Sequence, residues 1–339
     1  MSAPVRLDTR PTDTAPPVAP TSSPARQRRL LVGLALAALA AAAAFLLVDV
    51  TGSWEFAVRL RARKVAAMTL VAVAVAVSTV SFQTVTNNRI LTPSIMGFDS
   101  LYVLLQSLAV YAFGTVAVVA VGVEVRFVVE TVVLVAFALV LHRCLFGRSS
   151  RDLFALVLAG IVFGTLFSSG SDLINRLIDP NEFQTLQDRL FASFNTVDTG
   201  LLWISAALVT LVSAYVWSTR RSLDVLALGR EHALNLGVDH RRAVDRQLAA
   251  VAVLVAVATA LVGPITFFGL LVANLARQLL GTSAHRYTLP GAALLGVVAL
   301  LVGQLVLERV LGYATAISIV VNLIGGVYFL ALLLREARR

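Results

Sequence analysis

Charge and cysteine are the two things that this 339-residue chain has little of. Charged residues make up 14% of the chain, whereas a soluble globular domain has about 25%. Hydrophobic residues make up 58%, so the composition is that of an integral membrane protein. A single cysteine, Cys144, excludes an internal disulfide and a cysteine-based metal cluster.

The chain also lacks the patterns that support catalysis. Its four histidines all fall in predicted loops or at the ends of apolar runs, none at ligand spacing from another metal-binding residue. It has no glycine-rich phosphate loop, so we do not expect it to bind or hydrolyse ATP. We find no ladder of Asp, Glu or His inside an apolar run, which argues against an ion-coupled secondary transporter. We therefore predict that the chain is not an enzyme and holds no metal or cofactor of its own.

Ten apolar runs predict membrane-spanning helices, since a helix needs roughly 20 apolar residues to cross about 30 Å of hydrocarbon. They are placed at about 30–49, 65–84, 99–120, 127–145, 153–169, 200–218, 247–263, 265–280, 289–307 and 315–334. Because hydrocarbon cannot satisfy free backbone groups, we predict an all-α polytopic membrane protein. Residues 1–29 are predicted to be a disordered cytoplasmic tail, and residues 30–339 the transmembrane domain, with a cytoplasmic loop at 219–246.

The distribution of basic residues predicts the orientation. The net charge of +9 could suggest nucleic-acid binding, but in a membrane protein basic residues mark the cytoplasmic loops. With both termini in the cytoplasm, 20 of the 28 Lys and Arg residues lie on the cytoplasmic side. We therefore predict no nucleic-acid partner. One group of basic residues, at positions 59–64, falls on the outer side against this rule.

The loop at 219–246 contains a short two-helix pattern. Leu228-Gly229 recurs as Leu236-Gly237, and a glycine after a short helix permits the left-handed residue that closes it. The few apolar residues between these steps make a face too small to be a core. Both a docking element for a cytoplasmic partner and a solvated loop are open interpretations.

An uncharged polar cluster begins at the end of the second apolar run. It consists of Gln83, Thr86, Asn87, Asn88, Thr92 and Pro93. Polar residues and a helix-breaking proline at membrane depth are tolerated only against protein or a water-filled cavity. A pore lining or gate is one interpretation, and ordinary hydrogen bonding between helices is the other.

Distinctive motifs follow one another along the chain. They are Arg61-Ala62-Arg63-Lys64, Asn87-Asn88-Arg89-Ile90-Leu91-Thr92-Pro93, Met96-Gly97, Leu228-Gly229-Arg230-Glu231-His232-Ala233-Leu234-Asn235-Leu236-Gly237-Val238, Gly263-Pro264-Ile265-Thr266-Phe267-Phe268-Gly269-Leu270, Arg277, Leu289-Pro290-Gly291 and Glu308-Arg309. Together they resemble the permease subunit of the iron-chelate and cobalamin class of ABC importers, over roughly residues 59–335.

This resemblance implies a type II ABC importer permease fold with ten spans per subunit. It also implies a second permease subunit, cytoplasmic ATPase subunits that use ATP and Mg, and an extracytoplasmic solute-binding protein. The residues that it assigns to coupling with the ATPase are Leu228, Gly229, Glu231, Ala233, Leu236, Gly237 and Val238. It assigns Arg61, Lys64 and Arg309 to docking of the binding protein, and the cluster from Gln83 to Pro93 to the translocation pathway or its gate.

The chain departs from the commonest family pattern in ways that resemble the branch for ferric catecholate siderophores. For example, Gln304 stands where an Asp is usual. We therefore predict a permease subunit in a bacterial cytoplasmic membrane that imports a ferric siderophore. The alternatives are import of haem, cobalamin or another metal chelate and, more distantly, ion-coupled secondary transport.

Overall fold

A computed structural model shows an all-helical protein. It describes residues 23–48, 53–146, 153–190, 193–194, 197–310 and 316–336. The α-helices in these ranges are α1 Pro24–Leu47, α2 Trp54–Val85, α3 Phe98–Ala120, α4 Val123–Phe146, α5 Leu153–Asn175, α6 Pro180–Leu190, α7 Thr199–Ser218, α8 Arg220–Leu226, α9 Arg230–Asn235, α10 His240–Val262, α11 Phe268–Leu280, α12 His285–Arg309 and α13 Ile317–Glu336. A 3-10 turn, Pro93–Met96, precedes α3.

Each of the ten predicted spans falls on one of these helices. Seven helices in the described ranges (α1, α2, α3, α5, α7, α10 and α12) have the length and hydropathy to cross a membrane. The helices α11 and α13 are apolar but contribute shorter apolar stretches, and α4 is 24 residues long at the fourth predicted span. The prediction of an all-α polytopic protein is confirmed.

The first helix begins earlier than the sequence analysis placed it. Ser23 caps α1 by accepting a hydrogen bond from the backbone N–H of Arg26, and Pro24 is its first residue. Proline is favoured at that position because its missing N–H would be unpaired there anyway. Residues 24–29 are therefore helical, whereas the prediction extended the tail to residue 29, where the apolar run begins. The rest of the predicted tail, residues 1–22, lies outside the described residues.

The centre of the bundle is made by α2 and α10. About two thirds of the apolar window of each helix is buried, against about a tenth to a quarter for α1, α3, α5 and α7. Fully buried alanines such as Ala67, Ala72 and Ala76 line α2. Small side chains let helices approach closely, which is how helices associate in a membrane. The 32-residue α2 runs the whole depth of the bundle. We call the end that carries Val85, α8 and α9 the inner end, and the end that carries Trp54 and Arg309 the outer end.

Two interruptions shape the periphery. The 3-10 turn packs on α5 at Gly160, where an added Cβ would lie 2.6 Å from the Cα of Met96, so only glycine permits this approach. In α3, Gly114 leaves the helical conformation with φ 73° and ψ 160°. The carboxylate of Glu182 on α6 accepts hydrogen bonds there from the backbone N–H and the hydroxyl of Thr115, at 3.2 and 3.4 Å.

Candidate functional site

The loop at 219–246 forms the two short helices that its pattern indicated. Leu223 and Leu226 on α8 are buried, and so is Ala233 on α9. In contrast, Leu228, Leu234 and Leu236 are 57%, 51% and 61% exposed. The element is therefore anchored on one side and presents leucines on the other, which does not fit a plain solvated loop. We call α8, α9 and the connecting residues up to Val238 the α8–α9 element.

Backbone geometry explains the two glycines of this element. Gly229 has φ 93° and Gly237 has φ 77°, both in the region that favours glycine. At Gly237 the backbone N–H donates to the carbonyl of Leu234, and the N–H of Val238 donates to the carbonyl of Ala233, each at 3.0 Å. This pair of bonds is a Schellman motif, which closes a helix with backbone atoms alone.

One polar contact anchors α8 to the rest of the bundle. Asp224 accepts hydrogen bonds through Oδ1 from the backbone N–H of His285, at 2.8 Å, and from its ring Nδ1, at 2.6 Å. Burial by itself would raise the pKa of Asp224, but the hydrogen bonds from His285 outweigh it and the pKa lies below its ordinary value. The stabilisation from this contact is present above the unfolded carboxyl pKa and is lost as the pH falls through the lowered value.

The buried amide of Gln83 ties α2 to α11 and to the segment that follows α2. Its Nε2 donates to the backbone carbonyl of Arg89 at 2.8 Å, and its Oε1 accepts from Arg277 at 2.5 Å. Asn274 donates to the same carbonyl of Arg89 at 3.0 Å. Within this subunit Gln83 therefore makes hydrogen bonds between helices, the second of the two uses left open from the sequence.

The other residues of this polar cluster shape the inner end of α2. Asn87 has φ 49°, and a second Schellman motif closes α2, with the N–H of Asn88 donating to the carbonyl of Gln83 at 3.1 Å and that of Asn87 to the carbonyl of Thr84 at 3.2 Å. The Thr86 hydroxyl donates to the carbonyl of Phe82 at 2.8 Å. Asn87 and Asn88 are exposed at the inner end.

The last two residues of the polar cluster, Thr92 and Pro93, lie at the start of the 3-10 turn. Both are buried. The structure thus divides the cluster into an exposed turn at the end of α2 and a buried stretch that packs toward α5.

The predicted docking residues at the outer end make contacts inside the subunit. Arg61 donates to the carbonyls of Phe45, Leu46 and Val48, at 3.3, 3.3 and 2.7 Å. Arg309 donates to the carbonyl of Val48 at 2.9 Å. Both guanidinium groups therefore satisfy carbonyls at the end of α1, which a helix leaves without partners.

Lys64 makes the third of these internal contacts. Its Nζ lies 3.0 Å from Oε1 of Glu308 on α12, and the two side chains are only 11% and 10% exposed. Gln304 also donates to this carboxylate, at 3.0 Å. Lys64 is thus one half of a largely buried ion pair, which the prediction of a docking cation did not anticipate.

Two carboxyl groups lie inside the bundle that the sequence did not place there. Glu130 is 7% exposed and accepts a hydrogen bond from Gln106 at 2.7 Å, with Arg126 at 3.6 Å. Its position near the end of a predicted span suggested a side chain that reaches out to the membrane surface, but the structure buries it. Asp99, the second residue of α3, accepts from Thr266 at 2.9 Å beside a cavity of about 20 Å³.

The contact between His285 and Asp224 was likewise not predicted. These residues are 61 positions apart, and each lies in a separate short polar stretch, so no local spacing joins them. The only feature of the sequence that pointed to this site was His285, a histidine just before the predicted span at 289–307. Among the described residues, no group of three or more His, Cys, Asp or Glu is placed to hold a metal ion.

Comparison with known proteins agrees with this architecture. A profile of the FecCD transport family matches residues 29–335. This chain belongs to the FecCD transport family. As a FecCD chain it is a multi-pass permease subunit of a bacterial ABC importer, a transport component and not an enzyme.

Two relatives and one solved structure are similar to this FecCD chain over most of their length. The petrobactin import system permease protein of Bacillus subtilis is 48% identical, over 91% of this chain and 96% of its own. The petrobactin import system permease protein of Bacillus anthracis is 36% identical, over 82% and 79%. A metal-chelate type ABC transporter solved in an inward-facing conformation superposes with a TM-score of 0.77 at 24% identity, covering 91% of this chain and 99% of that one. The last comparison shows the fold, that of a type II importer permease.

Proposed function

We propose that this chain is the permease through which a ferric siderophore of the catecholate class crosses the bacterial cytoplasmic membrane. The observation that carries the proposal is the 48% identity to a petrobactin import permease over 91% of the chain. A haem transport permease of Yersinia pestis is 32% identical over only 55% of the chain. A vitamin B12 import permease of Citrobacter koseri is 30% identical over 57%. The balance of these similarities favours a ferric siderophore over haem or cobalamin.

Uptake by cells that lack this permease tests the substrate. The cells would be given ferric petrobactin, a second ferric catecholate, haem and cobalamin, each labelled, with and without the restored gene. We expect restored uptake of a ferric catecholate only. Restored uptake of haem or cobalamin, without ferric catecholate, would contradict the proposal. A chain carrying Leu236→Glu serves as the inactive control.

Coupling to an ATPase is proposed for the α8–α9 element. Its exposed residues Leu228 and Leu236 stand beside the glycine turns, and Leu234 lies between them. Burial of exposed apolar side chains is the main favourable contribution to most associations between proteins. This chain carries no phosphate loop, so a separate ATPase subunit is needed to supply the energy. That partner would bind and hydrolyse ATP with Mg. The buried Ala233 and the turns at Gly229 and Gly237 set the shape of this surface, with Glu231 and Val238 at its margin.

The segment from Gln83 to Pro93 is proposed as the inner gate. It lies at the same end of the bundle as the α8–α9 element, and hydrogen bonds to the carbonyl of Arg89 hold it in place. Asn87, Asn88 and Arg89 are the exposed part of the segment, so they are the residues that a passing solute would contact. A second permease subunit, identical or different, would complete the pathway.

Docking of an extracytoplasmic binding protein is proposed for the outer end. Arg309 is exposed, and Arg63 is an exposed cation for which no ion pair is described in the part of the chain that the structure covers. Exposed charges of this kind orient a partner and raise its association rate more than its affinity. We propose that Arg63 and Arg309 meet the binding protein directly, while Arg61 and Lys64 hold the surface in shape. If the outer end meets the binding protein and both termini lie in the cytoplasm, the α8–α9 element lies on the cytoplasmic side.

A further inference from the structure

His285 joins three separate elements at the inner end of the bundle. It is the first residue of α12 and only 3% exposed. Its Nδ1 lies 2.6 Å from Oδ1 of Asp224 on α8, and its Nε2 lies 2.7 Å from Oγ1 of Thr84 on α2. Both nitrogens of one imidazole are therefore engaged, one by the α8–α9 element and the other by the central helix.

The Thr84 side of this bridge leads directly to the proposed gate. Thr84 is 6% exposed, and its Oγ1 also lies 2.8 Å from the carbonyl oxygen of Val80 in the preceding turn of α2. The next residue toward the centre, Gln83, holds the carbonyl of Arg89. A displacement of Thr84 therefore reaches the segment after α2 through the adjacent residue and one hydrogen bond.

The Asp224 side of the bridge leads to the surface proposed for the ATPase. Asp224 lies in the middle of the seven-residue α8, whose flanking Leu223 and Leu226 are buried. The side chain of Asp224 is 41% exposed, so the contact lies at the boundary between the buried interior and the exposed element. The His285 side chain is buried, and hydrogen bonds in a low-dielectric position are stronger than in water, so His285 can move together with its partners.

We propose that His285 is a positioning residue that transmits movement of α8 to the inner end of α2. The inference rests on the proposed coupling function of the α8–α9 element and adds the residue by which that coupling reaches the gate. Asp224, His285 and Thr84 act as one chain in it. His285 moves with α8 through its bonds to Asp224, and Thr84 moves with His285.

The test compares transport with ATP hydrolysis in the complete complex. The permease, its ATPase and its binding protein would be reconstituted in liposomes with ferric petrobactin carrying radioactive iron. The measured quantity is the number of chelates taken up per ATP hydrolysed, for His285→Ala, Asp224→Ala and the double variant. Loss of buried hydrogen bonds is expected to lower this ratio on the order of tenfold, with ATP hydrolysis changed less than about twofold. The double variant should be no worse than His285→Ala, because both changes break the same chain.

Thr288→Val provides the matched control. Thr288 is one turn further along α12 and 1% exposed, and its hydroxyl has no hydrogen-bond partner among the described residues. Its replacement by an isosteric valine should leave the transport ratio unchanged. Should His285→Ala fail to assemble, Asp224→Ala removes a side chain that is 41% exposed and breaks the same bridge.

The outcomes separate this inference from the proposal on which it rests. If Leu236→Glu leaves transport intact in this assay, the coupling function itself is refuted. If Leu236→Glu abolishes transport but His285→Ala and Asp224→Ala keep the normal transport ratio, only the role of His285 is overturned. A parallel loss of transport and ATP hydrolysis in both variants would also overturn it, because that result indicates a structural role.

Discussion

The two ends of α2 use polar side chains differently. At the outer end, three cations from the predicted docking set are held by contacts within the subunit: Arg61 and Arg309 by the end of α1, and Lys64 by Glu308. At the inner end, the buried polar groups form a bridge from α8 to α2, and the α8–α9 element exposes three leucines. The cations at the outer end stabilise the bundle, whereas the hydrogen bonds at the inner end anchor the α8–α9 element and its exposed leucines.

This difference shows why charge alone is a weak marker of docking in a membrane protein. A cation near a helix terminus has carbonyl groups within reach, and in a poorly hydrated position it will bind them. Exposed leucines on a short anchored helix have no comparable internal use. The inner surface is therefore the more specific of the two signals for a protein partner.

The largest expected effect is at the outer end, for Lys64→Met. Removing the ammonium group leaves the carboxylate of Glu308 in a largely buried position, which typically costs about 3–5 kcal/mol. Thermal unfolding of the purified permease would show a lower midpoint. A Lys64→Met/Glu308→Met double variant should recover most of the loss. An unchanged unfolding midpoint for the single variant would mean that Lys64 does not stabilise the bundle, and would favour its original assignment to docking of the binding protein.

Leu236→Glu is expected to have the next largest effect, at the inner end. Leu236 is 61% exposed, so the subunit should fold and insert normally. A charge at the centre of an apolar contact removes about 2 kcal/mol or more of binding energy, so uptake should fall roughly 30-fold or more. Uptake is the measurement, and membrane insertion in the same cells is the control. Uptake near the normal rate would refute the proposed contact with the ATPase.

Gln83→Leu tests whether the inner network also supports the gate. The change removes one hydrogen bond to the carbonyl of Arg89 and the acceptor for Arg277, with an expected cost of about 1–3 kcal/mol in stability. Because Asn274 still holds the same carbonyl, the segment should loosen without unfolding. Uptake kinetics and thermal unfolding would be measured together. Reduced stability with normal kinetics would mean that Gln83 only packs helices.

The smallest expected effects separate two arginines at the outer end. Arg61→Gln removes a cation at the carboxyl end of α1 and should cost about 0.3–1 kcal/mol in stability. Arg63→Glu should leave stability unchanged and slow docking of the binding protein, most clearly at low salt, where surface charges are least screened. Association rates at several salt concentrations check this. Equal docking rates for the Arg63 variant and the native chain would place docking elsewhere.

Local pattern predicted the helices well because each apolar run needs only its own length to be recognised. The two short helices of the α8–α9 element were also predictable, since the Leu-Gly steps at 229 and 237 carry the conformational requirement within the local sequence. The early start of α1 was missed, although Ser23 and Pro24 are a recognisable start signal.

The contacts of the candidate site were beyond the reach of local pattern. Lys64 and Glu308 are 244 positions apart, and Thr84 and His285 are 201 apart. Which distant residues come into contact depends on how the helices pack against one another. That packing depends on small residues spread along whole helices, such as the buried alanines of α2. A motif could name Lys64 and Gln83 as important positions without revealing that each is already engaged inside the subunit.

The turn at Leu236-Gly237 is closed by backbone atoms, and an added Cβ at Gly237 would meet nothing within 4 Å. Because these hydrogen bonds join backbone atoms, the exposed side chain of Leu236 does not hold the turn together. Its identity can change to suit a different ATPase while the helix end keeps its geometry. Related permeases could in this way exchange partners through one or two substitutions, and an engineered permease could be matched to a chosen ATPase by redesigning only this exposed position.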